Sequence, residues 1–137
     1  MTVLGIGCDV LKISRIASLV TKHGLGSPFL TRFGHRVLHK SELPTYQQLQ
    51  ESKDLDGVVR HLSGSWALKE AVYKTLDDSV QEKFRFNEWA RGSTSRGRPT
   101  ILSEIYQQHH PNEEFLASIS HDGGILMATV VRQLKKT

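Results

Sequence analysis

One cysteine, Cys8, is all the chain has in 137 residues, so an internal disulfide and a cysteine-ligated zinc site are both excluded. Its apolar runs are too short to cross a bilayer, which argues against a membrane-spanning protein or a membrane partner. The start, Met1-Thr2-Val3-Leu4-Gly5, carries neither a charged-then-apolar signal peptide nor an arginine-rich presequence. Acid is missing from a long stretch. Between Val10 and Ser41 stand Lys12, Arg15, Lys22, Arg32, Arg36 and Lys40, with His23, His35 and His39, and no aspartate or glutamate. A glycine-rich phosphate loop with its lysine is absent, as are a nucleophile-elbow serine and a cysteine–histidine catalytic pattern. Gly5-Ile6-Gly7 lacks the third glycine and the βαβ setting of a dinucleotide fold.

What remains is a globular composition, 38% apolar and 23% charged, with a mean hydropathy of -0.34. It fits a single domain over residues 1–137. The net charge of +4 is concentrated in the acid-free stretch. Such a surface expects nucleic acid, a phosphorylated ligand or an acidic protein, unless it is simply a solvated helical face.

Val3, Leu4, Ile6 and Val10 predict a strand over residues 2–9, with Gly5 and Gly7 admitting close backbone approach. Cys8 within it reads as a small buried hydrophobe, with a reactive thiol as the alternative. A helix is expected from Ser14 to His23-Gly24, and a short one from Ser27-Pro28 to Phe33 that Gly34 interrupts. Another starts at Ser41-Glu42-Leu43-Pro44, and a long one covers Leu55 to Leu76. Ser63-Gly64-Ser65 is weak inside that helix: either it starts afresh at Trp66, or Gly64 lets a ligand or backbone come close. Phe84, Phe86 and Trp89 alternate with polar residues as in a half-buried strand, and a polar turn region covers Arg91 to Arg98. Thr100-Ile101-Leu102 fits a strand and Ser103 to His109 a short helix. Phe115 to Ser120 and Ile125 to Arg132 form a hairpin through His121-Asp122-Gly123-Gly124. The class is α+β, with an antiparallel sheet mostly from the second half.

Asp9 closes an apolar strand, where a carboxylate either binds something or caps the next helix. Glu70 and Lys74 are four apart, hence neighbours on one helix face; alone they read as an exposed ion pair, and Lys69 beside them as part of a solvated face. Ala67 and Ala71 keep the helix slim at this point, as a close-packed site requires. Two carboxylates from separate elements with a lysine nearby suit a hard divalent cation carrying a phosphate ester. His121, at a strand end, is an exposed turn residue or a phosphate or proton-transfer group. Gly97-Arg98-Pro99 is a turn whose N–H groups and guanidinium could meet a phosphate.

Gly5-Ile6-Gly7-Cys8-Asp9-Val10 with Ile13 and Arg15 resembles the first signature of the 4'-phosphopantetheinyl transferases of the holo-acyl-carrier-protein synthase type. Trp66-Ala67-Leu68-Lys69-Glu70-Ala71-Val72-Tyr73-Lys74 resembles their second. Gly97-Arg98-Pro99 and Ser118-Ile119-Ser120-His121 are similar to two weaker family features, and Phe33 to Tyr46 to the segment between. The resemblance implies that family's fold, a small antiparallel sheet packed with a long helix. It implies transfer of phosphopantetheine from coenzyme A to a serine of an apo acyl carrier protein, releasing adenosine 3',5'-bisphosphate. On it, Asp9 and Glu70 hold Mg²⁺ against the pyrophosphate, and Lys74 stabilises the pyrophosphate and leaving group. The base for the serine is Glu70 or a metal-bound water. Ser120, His121 and the turn Gly97, Arg98, Pro99 touch the adenosine phosphate end. Arg15, with Lys12 and Lys22, docks the acidic carrier protein.

There are departures from the family pattern. Serine stands at Ser65 where arginine is frequent, leaving one phosphate contact to Arg60 or Arg98, and Thr75 replaces an alanine. Trp66 and Val72-Tyr73 resemble fungal members, which implies the mitochondrial matrix, with the cytoplasm as alternative. The short form implies a homotrimer with active sites between subunits. Two rivals compete. A nucleic-acid-binding module leaves Asp9 and Glu70 unexplained and lacks interleaved aromatics. A Mg²⁺-dependent phosphohydrolase acting on a nucleotide has no use for the acid-free stretch.

Overall fold

The computed structural model describes residues 2–136. The chain opens with a ten-residue strand, β1 (Val3–Lys12), that runs straight into α1 (Ile13–His23). Helices α2 (Pro28–Val37), α3 (Leu43–Glu51) and α4 (Leu55–Tyr73) follow. After the short α5 (Asp78–Gln81) come the hairpin β2 (Ala90–Ser93) and β3 (Pro99–Leu102), α6 (Glu104–His109), and the long hairpin β4 (Glu113–Asp122) and β5 (Ile125–Leu134). The α+β expectation holds.

The three long strands form an antiparallel sheet in the order β1-β5-β4, with β2 and β3 as a separate pair. Gly123 and Gly124, both at positive φ, turn β4 into β5, a conformation that costs glycine little. Because side chains alternate along a strand, one face of the sheet carries Gly7, Asp9 and Leu11 with Leu126, Ala128 and Val130, and α4 covers it. The opposite face carries Leu4, Ile6, Cys8 and Val10 with Met127 and Leu116, all exposed. Cys8 is therefore not the buried hydrophobe its apolar context suggests; it points away from the core, with the Thr129 hydroxyl 3.7 Å from its sulfur.

α4 starts at Asp54, whose side chain accepts the Gly57 N–H at 2.9 Å, and it buries Val58, Leu62, Leu68 and Val72 completely. The helix passes through Ser63-Gly64-Ser65 unbroken, so it does not start afresh at Trp66. Nor does Gly34 interrupt α2, which continues to Val37; a Cβ at Gly34 would collide with the Tyr46 ring. Burial pushes that phenol up to about 12, and its hydroxyl donates to the Leu30 carbonyl at 2.7 Å. The strand expected over Phe84 to Trp89 is a loop with a 3-10 turn at Phe86–Glu88. Those aromatics find edge-to-face and stacked partners in one another, in Trp66 and in Phe115, and that packing replaces ladder pairing.

Candidate active site

Asp9 lies inside β1, not at its end, because the strand continues to Lys12. Lys12 occupies the N-cap of α1, so Asp9 does not cap that helix. Asp9 faces α4, and the two elements touch almost backbone to backbone. A Cβ on Gly7 would overlap the Ala71 carbonyl, and one on Gly5 the Thr75 carbonyl. Ala67 and Ala71, fully buried, complete the slim contact. The end of α4 is pinned by Arg132 of β5, which donates to the Thr75 carbonyl at 2.8 Å, to Asp77 at 3.0 Å and to Glu113 at 2.9 Å.

That contact delivers the predicted trio to one corner. Lys74 Nζ donates to the Cys8 carbonyl at 2.8 Å and to Asp9 Oδ1 at 3.3 Å, while the half-buried Glu70 lies one helical turn back. The expected Glu70–Lys74 surface pair does not form; Lys74 turns to the strand. Burial first, then the Asp9 carboxylate, raises the Glu70 carboxyl above the usual glutamate range, and Lys74 only partly offsets this. No hydrogen bond or ion pair among the described residues engages the Glu70 carboxylate. Two carboxylates that repel, one of them unpaired, fit a small divalent cation. No cluster of three or more metal-ligating side chains exists among the described residues. Two carboxylates with the remaining positions left to water and phosphate oxygens is the arrangement Mg²⁺ takes beside phosphates.

The other predicted residues are not gathered there within one chain. Ser120 pairs with Met127 and shares the uncovered sheet face with Val10, whereas His121 is exposed on β4, the strand farthest from β1. Two strand spacings, roughly 10 Å, separate β4 from β1. The turn at Gly97 (φ 83°), with Arg98 and Pro99, closes the β2–β3 hairpin. That hairpin meets α4 through Arg91 at His61, Gly64 and Ser65, a region roughly 15 Å along the helix from Lys74. Arg15 and Lys22 are exposed on α1, and Lys12, at its N-cap, is exposed as well.

Sequence reasoning missed a buried ionic network behind this corner. Lys69 is not on a solvated face: it is 0% exposed, and its Nζ donates to Glu42 at 2.9 Å and to the Val37 carbonyl at 2.7 Å. The same Glu42 carboxylate accepts the Ser65 hydroxyl at 2.7 Å and the His39 N–H at 3.0 Å. Burial pulls the Lys69 ammonium and the Arg91 guanidinium below their ordinary values, with Glu42 opposing in both cases. One signal was available: Glu42 is the first acid after the acid-free stretch.

A family model described as the 4'-phosphopantetheinyl transferase superfamily matches residues 5–130. The holo-(acyl-carrier-protein) synthase of Yersinia pestis is 33% identical over 101 residues, 74% of this chain and 71% of that one. The solved structure of Helicobacter pylori holo-(acyl-carrier-protein) synthase in complex with coenzyme A has a TM-score of 0.66 at 27% identity, covering 93% of this chain and 99% of the other. Plasmodium yoelii acyl carrier protein synthase with ADP bound is alike in fold, with a TM-score of 0.74 at 19% identity over 98% and 97% of the two chains. Since the matched span takes in both the strand that carries Asp9 and the helix that carries Glu70 and Lys74, the chain belongs to the 4'-phosphopantetheinyl transferase superfamily.

Proposed function

We propose that this chain acts as a holo-acyl-carrier-protein synthase. The serine hydroxyl of an apo carrier protein attacks the phosphorus of coenzyme A that bears pantetheine. A P–O bond of the pyrophosphate breaks, the serine proton passes to a base, and adenosine 3',5'-bisphosphate leaves. The observation that carries this reading is the meeting of Asp9, Glu70 and Lys74 in one corner, held by the glycine-lined contact of β1 with α4.

Asp9 and Glu70 are the residues that would hold Mg²⁺. The ion supplies charge neutralisation on the pyrophosphate. Lys74, nearly half exposed at 46%, is free to swing its ammonium from the Cys8 carbonyl to the leaving phosphate. The base for the incoming serine is Glu70 or a water held beside it. Arg15, Lys12 and Lys22 form the basic docking surface for an acidic carrier, so association weakens as salt rises. The mitochondrial matrix remains the compartment we assign, on the likeness of Trp66 and Val72-Tyr73 to fungal members.

The assembly is a homotrimer with sites between subunits. Its support is the bare sheet face, where Ile6 is 68% and Val10 61% exposed beside Leu116 and Met127. An apolar sheet face of this kind is buried in a stable protein. A shared site also accounts for the distance of His121 and Gly97-Arg98-Pro99 from Asp9: they would serve a neighbour's coenzyme A. Light scattering is expected to give three times the chain mass, and Ile6→Glu to yield smaller species with little activity. A fully active monomer would contradict the trimer.

Incubating the protein with coenzyme A, Mg²⁺ and an apo carrier protein, then weighing the carrier by mass spectrometry, tests the activity. A phosphopantetheine adduct is expected. Breakdown of coenzyme A with no adduct on several carriers would favour the phosphohydrolase instead.

A further inference from the structure

α4 ends without a glycine to stop it. No residue from Lys74 to Asp78 has a positive φ, so the left-handed cap that closes many helices is missing. The last turn tightens instead. The Thr75 N–H donates to the Val72 carbonyl at 2.9 Å and the Leu76 N–H to the Tyr73 carbonyl at 3.2 Å. The Thr75 hydroxyl turns back into the helix as well, donating to the Val72 carbonyl at 2.7 Å. What grips this turn from outside is Arg132 of β5, buried at 4% exposure. Its Nε donates to the Thr75 carbonyl at 2.8 Å and its Nη2 to Asp77 at 3.0 Å. Its Nη1 donates to Glu113 of β4 at 2.9 Å, and the Leu4 carbonyl of β1 lies 3.4 Å from Nη2.

One planar group therefore ties the end of α4 to all three strands of the sheet. Arg132 stands opposite Gly5 in the β1–β5 register, and Gly5 is where a Cβ would collide with the Thr75 carbonyl. The guanidinium sits at the point where the end of α4 rests on β1. Glu113 is held in turn: the Tyr106 hydroxyl of α6 donates to its Oε1 at 2.6 Å, and His110 lies 3.4 Å from its Oε2. A buried fork with fixed partners sets a direction, as a flexible ammonium does not.

Lys74 directly precedes Thr75. Its ammonium takes its bearings from β1 alone, through the Cys8 carbonyl and Asp9, and at 46% exposure no packing locks it. A slide or fraying of the last turn against β1 thus carries the ammonium away from Asp9. Glu70 lies a turn earlier, beside the close contact of Gly7 with Ala71. We propose that Arg132 is a positioning residue for the transfer, setting Lys74 against Asp9 by holding the last turn of α4 on β1. The proposal rests on the transfer reading given above.

A double-variant cycle in transfer kinetics tests it, with rates corrected for the folded fraction measured in urea. Arg132→Ala is expected to lower kcat by about 10- to 100-fold, the loss that a displacement of about 1 Å at a charge-stabilising group produces. KM for the carrier protein is expected to stay put, because α1 lies elsewhere. Made on top of Lys74→Ala, the same change is expected to lower kcat by less than about 2-fold, since nothing is left to place. Arg132→Lys keeps a donor for the Thr75 carbonyl and recovers part of the rate. The full loss in both backgrounds would give Arg132 a general structural role and overturn the proposal, as would a normal kcat in Arg132→Ala. If Arg132→Ala does not fold, Arg132→Lys takes its place in the cycle, with an equal loss in both backgrounds or none at all overturning the proposal. A native protein that transfers nothing refutes the activity instead. Hydrogen exchange then reads the clamp directly: Arg132→Lys should hasten exchange at the Lys74, Thr75 and Leu76 amides and spare those of Leu68 to Glu70, and unchanged protection overturns it.

Discussion

Asp9→Asn, and separately Glu70→Gln, are expected to lower transfer from coenzyme A by a factor of about 10³, the scale seen when a charge-stabilising group is removed from a reacting centre. Neither is expected to lower the thermal midpoint of the metal-free chain. Glu70 carries a carboxyl whose affinity for protons is raised by burial and by Asp9. In a folded chain with such a group, the ionised form is disfavoured, so stability declines as pH rises through the shifted value. Removing either charge relieves that cost, and the midpoint at neutral pH stays level or moves upward. The same shift makes proton and cation compete. Mg²⁺ affinity, read by calorimetry, should fall on acidification at a higher pH than an ordinary glutamate would give, with proton release on binding. Normal rates in either variant, or Mg²⁺ affinity that ignores Asp9, would remove the metal role from this corner.

One residue earlier on α4 the consequences invert. Lys69→Ala is expected to cost about 3–5 kcal/mol of global stability, because it strands the Glu42 carboxylate, only 4% exposed, without its cation. The Ser65 hydroxyl and the His39 N–H would remain on that carboxylate, but neither carries a charge, and the Arg91 guanidinium, though Glu42 acts on it, makes no ion pair with it. Pairing Lys69→Met with Glu42→Gln is expected to recover much of the loss, since the desolvation cost of both ions disappears together. Urea denaturation of the two single variants and the double variant measures this. Additive losses would mean that the two ions do not act as a pair. Glu70 and Lys69 are adjacent in sequence, yet one is disposable for folding and needed for transfer, and the other anchors α3's start to α4.

Much of the fold was legible because periodicity and turn chemistry are local. The β4–β5 hairpin announced itself through Gly123-Gly124, and α4 through its buried apolar positions. Two of the misreadings concern facing. Alternation turns the apolar row of β1, Leu4, Ile6, Cys8 and Val10, inward, yet α4 rests on the other row because Gly5 and Gly7 admit its close approach, so Cys8 faces outward. Lys69 and Glu70 could not be told apart by charge; α2 and the segment reaching Glu42 cover one of them and leave the other in the open corner. Phe84, Phe86 and Trp89 had the spacing of a strand, but no neighbouring strand was placed to pair with them. Arg91 carried no sequence signal, since its position depends on a slot made by Gly64 and Ser65 on another element.

By itself, then, the sequence determined the α+β class, the two signature segments and the chemistry that Asp9, Glu70 and Lys74 can perform, because residue type and local spacing are written along the chain. Only the tertiary structure decided which charges are buried and paired, which strand face is bare, and which arginine lies on α4 at Ser65. Those depend on contacts between residues far apart in sequence, such as Glu42 with Lys69 and Arg91 with Gly64, and on the desolvation that such contacts impose. Gly5 and Gly7 join the two levels: their small size is visible in the sequence, and its use, letting α4 rest on β1 so that Lys74 meets Asp9, exists only in the fold.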